Sequence, residues 1–159
     1  MKVPNNEYKR VVIIGGGFGG LHLAKGLRKK DFQVVMLDKN NYHRFQPLLY
    51  QVATSGLEPD SIAYPIRKIF KNQPRFHFRM ATVERIDTAA NIVETNIGNI
   101  SYDYLVIATG TTTNFFGMKG VEKYAMTMKT VSESLDLRSL ILQNFERPYW
   151  QMKRNKRVT

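Results

Sequence analysis

Apolar runs and a glycine-rich turn alternate along the first forty residues. Residues 10–14 are mostly β-branched and apolar, which is typical of a buried parallel strand. A helix is predicted for residues 21–30, where apolar side chains recur at helical spacing. A second strand is predicted for residues 33–38 and ends in Asp38. Together these segments predict one complete β–turn–α–β unit.

In the rest of the chain, apolar spacing and capping residues predict two helices with a strand-rich region between them. Residues 60–70 predict a helix that has Asp60 or Ser61 as its N-cap. The other predicted elements are a strand at 76–80, a β-meander at 81–86, 92–95 and 100–102, a buried strand at 104–108, and a helix from Thr130 or Ser132 to about Glu146. The predicted fold class is therefore α/β, with a Rossmann-like βαβ unit, a parallel sheet and a small antiparallel β-meander.

The turn after the first strand has the composition of a dinucleotide-binding loop. It consists of Gly15, Gly16, Gly17, Phe18, Gly19 and Gly20. Its first, third and sixth positions have the G-x-G-x-x-G spacing, which permits a tight turn, the approach of a pyrophosphate to the backbone, and close packing of helix on strand. The alternative is a glycine-rich turn that binds nothing.

Asp38 stands where such a loop needs a ribose-binding acid. It lies 18 residues beyond Gly20 at the end of the second predicted strand. A carboxylate there can accept both hydrogen bonds from an adenosine ribose, and it would repel the 2′-phosphate of NADP. The alternatives are a surface acid at Asp38 and, for Lys39, either a solvated cation or a neighbour of the adenine.

The order of elements favours FAD over NAD as the dinucleotide. A simple NAD-linked dehydrogenase would continue with regular βαβ units, whereas this chain continues through a long apolar loop, a helix and a meander. It then returns to a strand that ends in Ala108, Thr109 and Gly110, a small-residue turn that allows the backbone to approach a ligand. This arrangement is that of FAD-binding domains in two-dinucleotide flavoproteins.

The amino-acid composition limits the redox chemistry, the partners and the location that the chain can have. The 159 residues contain no cysteine, which excludes electron transfer through a disulfide of this chain. The net charge of +11 favours anionic ligands or surfaces, but no nucleic-acid-binding motif is present, so we predict no nucleic-acid partner. No apolar run is long enough to span a membrane and the amino terminus has no signal core, which predicts a protein in the cytoplasm or peripheral on the cytoplasmic face.

Four segments carry a resemblance to a known family: residues 11–21, 40–53, 62–67 and 102–110. The segment 40–53, NNYHRFQPLLYQVA, is the most specific of them. Over roughly residues 10–146 the chain resembles type II NADH dehydrogenases, the single-subunit NADH:quinone oxidoreductases, which are flavoproteins. The resemblance implies that FAD is the cofactor, that NADH is the substrate of the full-length enzyme, and that a quinone and the membrane surface are its partners.

The resemblance also assigns residues. It implies that the glycine loop holds the FAD pyrophosphate, that Asp38 and Lys39 lie at the adenosine, and that the backbone at Val83 holds the adenine. Ala108, Thr109 and Gly110 then approach the cofactor from the other side. The residues implied on the flavin and quinone side are Phe45, Gln46, Pro47, Leu48 and Tyr50. The alternative for this loop is that it merely packs. We identify no catalytic residue and no metal ligand, and we interpret His43 as structural.

The resemblance covers only the amino-terminal part of a type II NADH dehydrogenase. The family is more than twice this length and adds a second glycine-rich unit for NADH and a carboxy-terminal membrane-binding segment. We therefore expect residues 1–146 to be an FAD-binding domain, itself incomplete, that forms the first part of a two-dinucleotide-binding flavoprotein. A homodimer is a possible assembly. The alternatives are a non-catalytic dinucleotide-binding module and a fragment of an NAD-linked dehydrogenase.

The last thirteen residues depart from the family. Residues 147–159 form a basic tail. One hypothesis is a shifted or truncated reading frame, and the other is a tail with a role of its own, such as contact with acidic lipid. The gene sequence decides between them.

Overall fold

The computed structural model describes residues 1–155, and its fold confirms the α/β class. In chain order the elements are β1 (Lys9–Ile14), α1 (Phe18–Gly26), β2 (Phe32–Asp38), β3 (Tyr42–Arg44), α2 (Leu49–Ala53), β4 (Ala63–Pro65), α3 (Ile66–Ile69), β5 (Phe76–Met80), β6 (Val83–Asp87), β7 (Ile92–Thr95), β8 (Ile100–Ser101), β9 (Tyr104–Ile107), α4 (Lys119–Tyr124) and α5 (Val131–Asn155). Short 3-10 turns precede α2 and β4. Among the described residues, no helix has the length and apolar composition that crossing a bilayer requires.

The chain divides into two compact units. The first contains Met1–His43 and Tyr64–Thr111, and the second contains Arg44–Ala63 and the described residues from Thr112 onward. The short strands β3 and β4 pair with each other where the chain passes from one unit to the other and back. Each unit has a core of its own.

A four-stranded parallel sheet forms the centre of the first unit. Its order is β5-β2-β1-β9, and β1 pairs in parallel with both β2 and β9. The last four residues of β1, 11–14, are all buried because the sheet is covered on both faces. This is the physical reason that the strand has an unbroken apolar run rather than an alternating pattern.

Two separate hydrophobic clusters cover the two faces. On one face, Val11 and Ile13 of β1 pack with residues of α1 and with Ile66 and Phe70. On the other face, Val12 and Ile14 pack with Val93 and Ile100. On this second face β1 and β2 pack against β6, β7 and β8, which form the antiparallel three-stranded sheet that the sequence predicts as a meander. The unit is therefore three layers deep, with helices, parallel sheet and meander in that order.

The predicted helix at residues 60–70 is wrong. A 3-10 turn at Pro59–Ser61, the strand β4 and the four-residue helix α3 take its place. Pro65 explains the break, because it has no N–H to donate and it disfavours the helical conformation at Tyr64. Ile62, Ile66 and Phe70 are nevertheless buried, so the apolar spacing marked the inward side chains correctly but not the backbone.

Two helix boundaries also differ from prediction. The helix after the glycine turn begins at Phe18 rather than Leu21 and ends at Gly26, because the glycines of the turn are themselves part of its first turn. The last helix continues past Glu146 to Asn155, so it takes in most of the predicted basic tail. Residues 156–159 of that tail lie outside the described residues.

The second unit is built around α2 and α5. Leu49, Val52 and Ile62 form its buried cluster, against which Val131 and Leu135 of α5 pack. Thr130 is the N-cap of α5: its hydroxyl accepts the N–H of Glu133, and the Glu133 carboxylate accepts the N–H of Thr130. This reciprocal pair confirms Thr130 as the predicted start of the helix. Hydrogen bonds from the Thr127 side chain and then from the Lys129 N–H hold the pKa of Glu133 below its ordinary value.

Asp103 fastens β9 to β1. Its Oδ2 accepts the Arg10 N–H at 2.7 Å, its Oδ1 accepts Lys9 Nζ at 3.0 Å, and its own N–H donates to the Arg10 carbonyl at 2.9 Å. The Arg10 backbone N–H and then Lys9 hold the pKa of Asp103 below its ordinary value of 3.8. The carboxylate therefore stabilises the fold above about pH 4, and this contribution is lost as the pH falls through the lower folded pKa.

Asp103→Asn tests this attachment. We expect the variant to melt a few degrees below wild type at neutral pH. The gap should shrink as the pH falls below about 4 and through the lower folded pKa, where the wild-type carboxylate becomes protonated too. Thermal melts followed by circular dichroism across that pH range measure both effects. Glu84→Gln, a change of an exposed carboxylate on β6, is the control. A gap that stays constant down to low pH would contradict a role for the Asp103 charge.

Candidate functional site

Backbone meets backbone at the glycine turn between β1 and α1. Gly15 has a φ of +109°, and a Cβ there would overlap the carbonyl of Ala108 at the end of β9. A Cβ on Gly20 would overlap the carbonyl of Gly15. The first contact brings the ends of two strands together, and the second brings α1 close to β1. Both predicted structural roles of the glycines are therefore present.

The middle of the turn is open instead of crowded. A Cβ on Gly17 would meet nothing within 4 Å, and Gly17, Phe18 and Gly19 are all exposed. Gly17 is the N-cap of α1, and its carbonyl accepts the N–H of Leu21 at 2.9 Å. The N–H groups of the first helical turn have no acceptor within their own helix, and no acid stands in that turn. An anion can therefore approach this end of α1.

Asp38 reaches the same turn from the end of β2. Its half-buried carboxylate accepts the Gly16 N–H at 2.6 Å through Oδ2 and the Asn40 N–H at 2.8 Å through Oδ1. Each oxygen keeps a second lone pair that can accept a ligand hydroxyl. Lys39 beside it is exposed. The fold thus joins the glycine turn and the strand-end acid, two features that the sequence indicated separately.

The other predicted residues of the first unit lie around the ends of the same strands. Ala108 donates its N–H to the Ile14 carbonyl at 2.8 Å, and Thr109 and Gly110 follow it with exposed positions and a φ of +74° at Gly110. Ala81 donates its N–H to the Asp38 carbonyl at 2.9 Å and so contacts the end of β2. Val83 lies two residues further along the chain.

The predicted flavin-side loop belongs to the second unit. Phe45 and Tyr50 expose 44% and 52% of their surface, although both are large and apolar. Gln46 and Pro47 are also exposed, whereas Leu48 is half-buried against the core of that unit. Only Leu48 packs as a core side chain would, so four of the five residues present surface that a ligand could cover.

Two residues outside the predicted cofactor site also contact the glycine turn. His43 Nδ1 lies 3.0 Å from the Gly16 carbonyl oxygen, and its ring meets that of Phe18 edge-on at 5.1 Å. The Cδ1 atom of Ile66 lies 2.6 Å from the position that a Cβ on Gly16 would take, so it fills the space beside that glycine. Both residues fall within segments that resemble the family, 40–53 and 62–67, but the spacing along the chain does not show that they meet Gly16.

A groove of about 260 Å³ lies along β5, and none of the predicted site residues lines it. It is lined by Arg67, Phe70, Lys71, Gln73, Phe76, His77, Phe78 and Arg79. Burial, and then the nearby Arg79 and Arg10, lower the pKa of His77 below its ordinary value. His77 is thereby favoured in its neutral form and takes no part in the glycine-turn site.

Comparison with known proteins decides the family. The family model described as pyridine nucleotide-disulphide oxidoreductase matches residues 9–152. The chain belongs to this family. The match begins at the first residue of β1 and continues into α5, so it includes both the glycine turn and the returning strand β9.

Similar proteins agree with the resemblance seen in the sequence. The type II NADH:quinone oxidoreductase NdhA of Mycobacterium tuberculosis is 40% identical over 141 residues, which are 86% of this chain and 30% of that protein. A type II NADH:quinone oxidoreductase of Staphylococcus aureus is 29% identical over 87% of this chain and 35% of its own length. The resemblance to type II NADH dehydrogenases is confirmed, and the chain spans about a third of the length of these relatives.

Solved structures have the same fold. The sulfide:quinone oxidoreductase of Aquifex aeolicus superposes with a TM-score of 0.80 and 31% identity, covering 88% of this chain and 33% of that one. NDH2 of Plasmodium falciparum, solved with NADH, superposes with a TM-score of 0.80 and 25% identity, covering 90% and 30%. The predicted combination of a Rossmann-like parallel sheet with a small meander is therefore confirmed.

Two glycine substitutions distinguish the crowded position of the turn, Gly20, from its open position, Gly17. Gly20→Ala places a methyl group against the Gly15 carbonyl and should destabilise the fold by about 1–3 kcal/mol or more, because two backbone segments must move apart. Gly17→Ala meets open space at a φ of −75° and should change stability by no more than about 0.5 kcal/mol. Urea unfolding of both variants measures the difference. Equal destabilisation by the two changes would contradict the described packing of the turn.

Proposed function

We propose that this chain holds FAD at the glycine turn. One observation carries the proposal: three strand ends of the same parallel sheet converge there, and they bring an open helix terminus at Gly17, the carboxylate of Asp38 and the small-residue turn at Ala108 to one place. A dinucleotide needs each of these, namely N–H groups for the phosphates, an acceptor pair for the ribose and a backbone that can lie close to the ligand.

Each part of the cofactor has a place in this proposal. Residues 15–20 hold the pyrophosphate at the start of α1. Asp38 binds the adenosine ribose, with Lys39 beside it and the backbone at Val83 against the adenine. Residues 108–110 close the site from β9. The fit is supported by the open space at Gly17 and by the free lone pairs of an Asp38 carboxylate that backbone N–H groups already hold in place.

We further propose that the chain supplies the flavin-holding part of an NADH:quinone oxidoreductase that pumps no protons. When bound, FAD supplies two-electron chemistry with a nicotinamide and reoxidation by a quinone, while the protein supplies binding and orientation. The names of the M. tuberculosis and S. aureus relatives support this activity. Because the chain spans about a third of those relatives, we assign the cofactor site to this chain and not the whole reaction.

The flavin and quinone side of the proposal rests on the second unit. We propose that Phe45, Gln46, Pro47, Leu48 and Tyr50 face the isoalloxazine ring and the quinone entrance. The exposed surface of Phe45 and Tyr50 supports this role. On this proposal residues 1–146 form the FAD-binding part, and residues 147–159 form a basic tail.

Membrane surface and self-association complete the proposal. A net charge of +11 supports peripheral attachment to an anionic surface, which we place on the cytoplasmic face. We also propose a homodimer as the assembled form. Sedimentation with phosphatidylglycerol vesicles and light scattering would measure the two properties separately.

An NAD-linked site is the second candidate, because the glycine turn and Asp38 would suit either dinucleotide. The meander β6–β8 and the returning strand β9 favour FAD, since both stand where a simple dehydrogenase would continue with βαβ units. A non-catalytic dinucleotide-binding module would share the FAD site and would differ only in that the bound flavin takes part in no reaction.

FAD binding is the first test. We expect the purified chain, equilibrated with FAD and desalted, to keep the visible absorption of an oxidised flavin. Asp38→Asn and Gly17→Ala should each weaken FAD affinity by about tenfold, the first through the ribose and the second by crowding the pyrophosphate. Fluorescence titration with FAD measures this, with Glu84→Gln as the control. Tighter binding of NADH than of FAD at this site would instead support the NAD-linked candidate.

Addition of NADH without oxygen is the second test. Residues 1–155 contain one G-x-G-x-x-G turn, which FAD would occupy, so we expect NADH to leave the flavin absorption unchanged. Dithionite, which needs no nicotinamide site, should bleach it and serves as the control. Bleaching by NADH would show that the chain supplies hydride transfer as well as the cofactor site.

A further inference from the structure

Gly16 is enclosed by residues from three different parts of the chain. Asp38, at the end of β2, accepts its N–H at 2.6 Å. His43, in β3, lies with Nδ1 3.0 Å from its carbonyl oxygen. Ile66, the first residue of α3, has its Cδ1 2.6 Å from the position that a Cβ on Gly16 would take. Gly16 is itself buried, although Gly17 next to it is exposed.

The contact with the carbonyl fixes the chemical form of His43. A carbonyl oxygen only accepts hydrogen bonds, so Nδ1 must carry the proton and donate it. The ring is half-buried and held edge-on by Phe18 at 5.1 Å, which keeps Nδ1 directed at Gly16. The imidazole therefore makes a directional bond to the turn as well as an apolar contact.

This bond determines where the next N–H points. The carbonyl of Gly16 and the N–H of Gly17 belong to one peptide group, and in a planar trans peptide the two point in opposite directions. With the oxygen held by His43, the Gly17 N–H is directed away from the histidine. A donor on the oxygen also polarises the peptide group, which makes its N–H a better donor to an anion.

We propose that His43 is a positioning residue of the cofactor site: by donating from Nδ1 to the Gly16 carbonyl it orients the Gly16–Gly17 peptide so that the Gly17 N–H is presented to a phosphate of the bound dinucleotide. This inference rests on the proposed function, because it deepens the assignment of FAD to the glycine turn. His43 touches neither the flavin nor a reacting atom, so it acts through the backbone.

The same contacts give a role to the family-specific segments. Segment 40–53 contains His43, and segment 62–67 contains Ile66, whose N–H donates to the Asn41 carbonyl at 3.1 Å. The two segments thus hold each other as well as Gly16. On this proposal, part of their sequence is specific because it shapes the phosphate-binding turn, in addition to any role of Phe45–Tyr50 at the flavin.

A matched pair of substitutions separates the hydrogen bond from packing. The side-chain nitrogen of Asn occupies nearly the place of histidine Nδ1, so His43→Asn keeps the donor. His43→Leu has a similar size and no donor. We expect His43→Asn to bind FAD within about threefold of wild type, and His43→Leu to bind about tenfold more weakly, by fluorescence titration. His22→Asn and His22→Leu, at an exposed position of α1, are the controls and should bind as wild type does.

A second readout needs no cofactor. In the apo protein labelled with ¹⁵N, the amide resonance of Gly17 reports the orientation and polarisation of its peptide group. We expect it to stay in place in His43→Asn and to shift in His43→Leu, while residues of the β6–β8 meander are unchanged in both. The meander signals also show whether each variant is folded.

The outcomes separate this inference from the proposed function. If wild type binds FAD and His43→Leu binds it equally well, or if Asn and Leu weaken binding equally, the positioning role is wrong while the cofactor assignment holds. If wild type binds no FAD, the proposed function fails, and the Gly17 resonance still decides whether His43 orients the turn. If His43→Leu does not fold, an unshifted Gly17 resonance and near-wild-type affinity in His43→Asn support the role, and their loss overturns it.

Discussion

The close approach of backbone to backbone at Gly15 is the constraint on which the rest of the first unit depends. Its left-handed conformation lets β1 turn at once into α1. Because Gly15 has no side chain, the Ala108 carbonyl at the end of β9 can lie directly beside it. Gly20 then allows α1 to lie on the turn. With side chains at these positions, the strand ends would separate and the open terminus at Gly17 would have no partners around it.

Burial of the parallel sheet on both faces is what keeps those strand ends in register. Helical residues cover one face and the meander covers the other, and the two clusters share no residue. A shift of β1 by one residue would turn every side chain to the opposite face, so Val11 and Ile13 would lose their helical neighbours and Val12 and Ile14 would lose the meander. The meander is thus a structural cover for the sheet and also brings Val83 to the neighbourhood of Asp38.

Much of this was predictable from the sequence, and the failures have physical causes. β5 and β7 were predicted at their observed bounds because strand periodicity and turn residues agree there. The helix at 60–70 failed because inward apolar spacing is the same for a helix and for the broken path that Pro65 imposes. The glycine turn and Asp38 could be inferred from spacing, but the contact of His43 with Gly16 could not, since it depends on how β3 returns past the turn.

The enclosure of Gly16 has a consequence for how this sequence can change over generations. Asp38, His43 and Ile66 all contact Gly16, through its N–H, its carbonyl and the space beside its Cα, so a substitution at any of these four positions alters the space or the hydrogen bonds available to the others. Changes there are energetically coupled and do not add independently. Drift at these four positions is therefore correlated: an acceptable residue at one of them is defined by the residues that stand at the other three.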